Sequence, residues 1–414
     1  MIRLYVLRAK YLLLPIAFLF ALFLLDKLFL IPEVRDNFIQ PGGAIYYRQR
    51  AEQLQTVRAE IPKLREADFK VGAVFGDSRS FSIGNLSAAT AKTLLGYSTE
   101  AWRLINFASP QALPAYHAYL AEKLFTRLPE ERPGYVLIGL SPDAFNRNAF
   151  IFSDPVLKFG VDSAWIDRNR THIPERNLQD YESTRRYALV GLNFSLKELL
   201  IRTMGEFQSP ISLPVGEQLA MMGMVSGMAT GDQGDVPASI RETLANARGY
   251  LGAMAEAKKH DLTLYRYAES PQRELLHLAG GAQYLWFGAA SEEKLREETD
   301  LLVSLYFRNF VISEEQFHFF RETLRFARRG GARVIVFWPK VNPYLRQEYA
   351  REPRIQAIWR RVESIAREEA AIALDLNRPG LVPCDAFYDA SHMSVSCFPA
   401  VTGLLLERLS RSGN

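Results

Sequence analysis

The chain has 414 residues, 48% hydrophobic and 23% charged, enough apolar side chain for a large core and too much for general disorder. Fifty Lys and Arg against 46 Asp and Glu leave a net charge of +4, and no basic run or aromatic-basic stripe marks nucleic acid as a partner. Two cysteines rule out a disulfide scaffold or a four-thiolate zinc site. With no P-loop, HExxH pair or glycine-rich dinucleotide fingerprint, neither a metal nor an organic cofactor is expected.

Tyr11 to Pro32 is almost entirely Leu, Ile, Phe and Ala, with charge only at Asp26 and Lys27. About 20 such residues cross a hydrocarbon core of roughly 30 Å, which predicts one N-terminal transmembrane helix over residues 11–32. Arg3, Arg8 and Lys10 precede it without an acid, and Glu33, Arg35 and Asp36 follow it. Positive charge favours the cytoplasmic side, so residues 1–10 are expected in the cytoplasm and the remaining chain outside, in the periplasm. The run is too long for a cleaved signal peptide and lacks small residues at a cleavage point. Lys27 is expected to snorkel at the outer interface.

Pro41-Gly42-Gly43 breaks the chain, and residues 46–66 read as a polar helix inside a 33–69 segment, either a stalk or a packed surface helix. Short apolar runs then alternate with helical segments. Val71 to Phe75, Leu104 to Ala108, Tyr135 to Leu140, Arg333 to Trp338 and Ala371 to Leu376 are strand candidates of the kind buried on both sheet faces. Ser313 with Gln316 forms a capping box that opens the helix before the fourth strand, and Arg328-Arg329-Gly330-Gly331 closes it. The rhythm predicts a three-layer, flavodoxin-like α/β domain over residues 70–144 and 311–414, with a parallel sheet of about five strands.

Residues 145–310 break the rhythm. Residues 150–210 are aromatic and charged, 215–237 are rich in Gly and Met, and 240–310 read as helices. They form either an inserted helical subdomain or a lid, so the sheet should close without them, Arg333 to Trp338 beside Tyr135 to Leu140. Lys340 is then expected at the rim of the sheet's carboxyl edge, solvated or facing an anion.

Two segments carry chemistry. The first strand runs into Gly76-Asp77-Ser78-Arg79-Ser80, which places Ser78 where α/β folds put their sites. After the fifth strand comes Asp389-Ala390-Ser391-His392. A serine nucleophile needs an imidazole to take its proton, and the imidazole needs a carboxylate to fix its tautomer. His392 is the one histidine placed after a strand of the expected sheet. His117, His260 and His318 fall in helical segments, and His172 and His277 lie in the insertion.

In residue type and order, these two blocks resemble the SGNH (GDSL-type) hydrolase superfamily, over about 70–110, 133–145 and 332–410. The chain looks most like its membrane-anchored envelope members, such as the teichoic-acid D-alanyl transfer protein and the alginate O-acetylation proteins. The resemblance implies a catalytic set of Ser78, Asp389 and His392, with an envelope glycan or lipid ester as substrate and a membrane-bound acyltransferase as a possible partner. Where the superfamily has Gly-x-Asn-Asp, this chain has Gly139-Leu140-Ser141-Pro142-Asp143. Ala108, Ser109 and Ser141 are therefore the candidates to hold the oxyanion beside the Ser78 amide. Esterase, O-acyltransferase and a catalytically weak accessory protein all remain open on these residues. Cys384 and Cys397 flank the Asp389–His392 loop, and an oxidising compartment makes them either a disulfide or two buried thiols.

Overall fold

A computed structural model describes residues 2–31, 34–35, 44–148, 153–192, 290–307, 310–387, 389–394 and 397–411. The expected Gly- and Met-rich stretch, the helices over 240–289, and His260 and His277 lie outside the described residues. Two compact units divide the chain, Met1–Arg48 with Phe152–Gln208, and Gln49–Ile151 with Ser209–Asn414. The insert expected over 145–310 thus falls across both.

In chain order the elements are α1 (Ile2–Leu28), α2 (Ala44–Glu66), β1 (Lys70–Phe75), α3 (Asn85–Leu95), β2 (Trp102–Asn106), α4 (Pro114–Phe125), β3 (Tyr135–Gly139) and α5 (Ser163–Arg168). There follow α6 (Glu175–Arg186), α7 (Ala188–Gly191), α8 (Glu292–Leu302), α9 (Glu314–Arg329), β4 (Arg333–Trp338), α10 (Pro343–Arg351), α11 (Pro353–Glu368), β5 (Ile372–Asp375) and α12 (Phe398–Arg411). Short 3-10 turns head several of the loops.

The second unit is built on a five-stranded parallel sheet of order β2-β1-β3-β4-β5. Its strands fall on the five apolar runs; β1 to β4 are buried apart from the first residues of β1, β3 and β4, while β5 at the edge is mostly half-buried, and the helices pair as α4 on α9 and α3 on α12. The arrangement is a mixed α/β fold consistent with three layers. Tyr135 to Gly139 pairs with Arg333 to Phe337 in register, and no described residue between 145 and 310 adds a strand. The ends of the insert are stitched together instead. Arg147 N donates to Val311 O at 2.7 Å, and Ser313 N donates to Phe145 O at 2.8 Å. A long excursion therefore leaves and returns at one point without disturbing β3 or β4.

The order in which strands are added reverses between β1 and β3: β2 lies on one side of β1, and β3, β4 and β5 follow on the other. At such a switch point the loops leaving the two strands diverge and open a crevice at their carboxyl ends. Ser78 follows β1 and Ser141 follows β3.

Of the two readings left open for α2, the structure shows the packed helix: Arg50, Leu54, Val57, Ile61 and Leu64 recur every three or four residues and are all buried. Two features differ from expectation. The end of the expected insertion, α8, belongs to the α/β unit, where Ala290 N donates to Phe387 O at 2.7 Å. Finally, the side chains of α1 are described from Leu13 on, and among the described residues no helix is long and apolar enough to cross a membrane.

Candidate active site

The Gly-Asp-Ser segment is shaped by Asp77. Its carboxylate caps the 3-10 turn Ser78–Ser80, accepting from Arg79 N at 2.9 Å. Short polar side chains cap helical turns because they satisfy N–H groups that have no partner inside the turn. Ser78 heads this turn, so its own amide has no intrahelical acceptor. Gly76 is required for space: a Cβ there would lie 2.6 Å from Ser80 Cβ. Its role is thus close approach of the turn to the strand end, since the left-handed glycines are Gly96, Gly331 and Gly380.

Asn106, at the end of β2, is buried and fastens the same turn from the other side. Its amide Nδ2 reaches Ser80 O, Phe81 O and Ile83 O at 2.9, 3.1 and 2.8 Å. The Ser78 segment is thus fastened from two sides.

The distant loop meets it. Ser78 Oγ stands 2.7 Å from His392 Nε2, although 314 positions separate them. On the other side of the ring, Nδ1 lies 2.9 and 2.8 Å from the two Asp389 oxygens. A carboxylate only accepts, so Nδ1 carries the hydrogen and Nε2 presents its lone pair to the Ser78 hydroxyl. Asp389 Oδ1 also accepts from Ser391 N and His392 N at 2.8 and 2.7 Å, fixing the backbone and the imidazole together. Burial by itself raises the Asp389 carboxyl, but the His392 charge and hydrogen bond, with the two amides, outweigh it and hold it down to about 2.

The loop is braced from four directions. Phe387 and Met393 form an antiparallel bridge, and Ser394 N donates to Ala386 O at 2.9 Å. Cys384 and Cys397 are joined by a disulfide. Ala390 N donates to Glu298 of α8 at 3.0 Å, while the buried Asn342 amide donates to Ala390 O and to Thr299 Oγ1. Lys340 is neither solvated nor aimed at a ligand. Its ammonium is buried and bound to Val382 O and Cys384 O, both at 2.9 Å, and to Asp385 at 2.6 Å.

A buried ion cluster ties the nucleophile turn to the loop after β3. Arg79 Nη1 lies 2.8 Å from Asp77 Oδ2 and 3.1 Å from Asp143 Oδ1. Burial acts against the charged guanidinium, but the two carboxylates outweigh it and raise its pKa. Ser141 Oγ donates to the same Asp77 oxygen at 2.6 Å.

The expected oxyanion donors are the part of the site that does not assemble. Ala108 N donates to Asn106 Oδ1 at 2.7 Å, Ser109 N to Gly76 O at 3.0 Å, and Ser141 Oγ to Asp77. All three hydrogens are committed to protein acceptors.

A family model described as "Protein of unknown function (DUF1574)" matches residues 6–211 and 248–409. The chain belongs to this family. No curated protein matches it. Both halves of the Ser78–His392 pair lie within the matched residues of this DUF1574 chain, as do most of α1 and the Asp77–Arg79–Asp143 cluster. Among the described residues no group of His, Cys, Asp and Glu is arranged to hold a metal ion.

Proposed function

We propose that the chain is an SGNH-type serine esterase or O-acyltransferase, anchored in the cytoplasmic membrane and acting outside the cytoplasm on an ester of an envelope glycan or lipid. The observation that carries the reading is the unbroken line Ser78 Oγ, His392 imidazole, Asp389 carboxylate. In the reaction, Ser78 Oγ attacks the ester carbonyl carbon as its proton passes to His392 Nε2. The carbonyl oxygen, now negative, is held by the Ser78 amide. The carbon–oxygen bond to the leaving alcohol then breaks, and the imidazolium returns the proton to that oxygen. Water or a sugar hydroxyl attacks the acyl-Ser78 ester, again giving its proton to His392, which restores it to Ser78. Water as acceptor makes the chain a hydrolase, and a sugar hydroxyl makes it a transferase. Asp389 orients the ring and stays ionised throughout.

The anchor is supported by the exposed apolar row of α1, which runs from Leu13 through Ile16, Phe18, Leu19, Phe20 and Phe23 to Leu25. The positive charge before it supports a cytoplasmic N-terminus.

One observation favours a second reading, an accessory protein that binds a glycan or acyl carrier for a membrane acyltransferase. The three further oxyanion donors are occupied, and losing one such donor typically costs about 10²–10³ in rate.

Turnover of short-chain nitrophenyl esters by the full chain in detergent, with and without added sugar acceptor, separates these readings. Alcohol release above that of Ser78→Ala supports the enzyme. An acyl group recovered on the sugar identifies the transferase. Release equal to that of Ser78→Ala supports the accessory protein.

A further inference from the structure

The charged pair that ends the apolar run of α1 makes a specific joint within the first unit. Lys27 Nζ donates to Arg185 O at 3.2 Å and to Arg186 O, the last carbonyls of α6. Asp26 Oδ1 accepts from Leu189 N at 2.9 Å, in the first turn of α7, and pairs with Lys27 at 2.9 Å. A cation thus meets the carboxyl end of α6, the favourable sense for that helix's dipole, while Asp26 satisfies an amide in the single turn of α7. Phe29 packs with Ala188 and Leu192 directly beyond the pair. Farther on, Arg35 donates to Lys158 O at 3.0 Å, and Lys158 donates to Gly191 O at 3.0 Å.

These bonds fix the α6–α7 corner at the height of Asp26, about 20 Å along the helix from Leu13 at 1.5 Å per residue. Ala188 turns inward onto Phe29, but two other side chains of the corner face out: Tyr187 is 59% exposed and Val190 77% exposed, and Leu25 and Leu28 near the end of α1 are exposed as well. Arg185 and Arg186 are exposed on the same corner.

We infer that the corner Arg185–Val190 is a lipid-facing seat. Tyr187 and Val190 enter the boundary between headgroups and acyl chains, and the two arginines meet lipid phosphates. This rests on the anchor part of the proposed function. What selects lipid as the occupant is continuity: the exposed apolar band of α1 ends in Asp26 and Lys27, and the corner is bonded to those two residues. Tyrosine is enriched at both membrane interfaces, and arginine binds the phosphate of a lipid headgroup with paired hydrogen bonds. Asp26 and Lys27 then act as the clasp that holds the seat, rather than as a pair snorkelling to water.

The test uses the full chain in vesicles of phosphatidylethanolamine and phosphatidylglycerol. Single cysteines labelled with an environment-sensitive fluorophore replace Leu19 or Val190, and nitroxide lipids quench at headgroup or mid-acyl depth. The label at residue 190 is expected to be quenched by headgroup nitroxide, and the label at residue 19 by the mid-acyl probe. In the Asp26→Asn, Lys27→Met double variant, quenching at residue 190 should fall while that at residue 19 persists. An unquenched residue 19 overturns the anchor itself. A quenched residue 19 with residue 190 open to aqueous iodide overturns the seat alone. A residue 190 shielded from both iodide and nitroxide shows protein covering the corner, and equally overturns it. Circular dichroism of the double variant distinguishes a lost clasp from a lost fold.

Discussion

Arg79 sits immediately after Ser78, buried, between Asp77 and Asp143. Removing one partner of a buried ion cluster leaves unpaired charge and typically costs about 3–5 kcal/mol. Arg79→Met is therefore expected to lower the unfolding free energy by roughly that amount, measurable by urea denaturation, with ester turnover falling as the Ser78 turn loosens. A second buried group is His117 of α4, stacked on Phe75, with the Gly76 backbone and the Asp77 carboxylate as its polar neighbours. Burial holds it down to about 4, against the pull of Asp77. Its folded value lies below the ordinary 6.5, so the stability it permits is complete above pH 6.5 and is lost as the pH falls through about 4. His117→Phe should remove up to about 3 kcal/mol of acid destabilisation. Melting temperatures of the two proteins should diverge between pH 6.5 and 4 and run parallel above it.

At the scale of elements, the strands were legible because each is a short apolar run with no competing pattern. Their ends were less so: the third strand stops at Gly139 rather than Leu140, the fifth spans Ile372–Asp375 rather than Ala371–Leu376, and the second runs Trp102–Asn106 rather than Leu104–Ala108, taking in the buried Arg103. Its guanidinium lies 3.5 Å from the Phe69 ring centre and donates to Glu100 O and Trp102 O, so it is accommodated by its neighbours. Ser78, Asp389 and His392 were legible as residue types in two loops. The oxyanion donors were not, since a sequence does not say which acceptors will claim an amide. Glu298, Asn342 and Asp143 were missed for a related reason: their partners lie 92, 48 and 64 positions away, beyond any local pattern. The only available signal was the placement of Arg79 and Asp143 just after Ser78 and Ser141.

Two elements carry predictions of their own. A Cβ at Gly139, where β3 ends, would run into the Ser80 hydroxyl and lie 2.8 Å from Phe337 Cζ. Gly139→Ala should destabilise by about 1–3 kcal/mol, the usual cost of overpacking, and slow Ser78 chemistry because Ser80 belongs to the nucleophile turn. The disulfide closes a loop spanning 13 positions around Asp389 and His392. Its removal in a Cys384→Ser, Cys397→Ser double variant should cost about 3 kcal/mol in the chain-entropy account. The rate of Ser78 acylation should fall more than the affinity for substrate. An unchanged rate would mean that Glu298 and Asn342 suffice to hold the loop.

For the whole molecule, the division of labour follows the two compact units. The Gln49–Ile151 and Ser209–Asn414 unit carries Ser78, His392 and Asp389. The Met1–Arg48 and Phe152–Gln208 unit carries α1 and the helices bonded to its end. Composition did not foretell that residues 153–192 would join the N-terminal helix, because Asp26 and Lys27 read equally well as an interfacial pair in water. The two readings diverge only when Leu189 N and the α6 carbonyls are seen to meet them. The central claim concerns neither unit's packing but one oxygen atom, Ser78 Oγ, activated by His392. Intact-mass analysis after treatment with a fluorophosphonate tests it most directly. The account predicts one adduct on the full chain, mapped to Ser78, absent in Ser78→Ala and strongly slowed in His392→Ala. Equal labelling of the wild type and Ser78→Ala, or no labelling of the wild type at all, would contradict it.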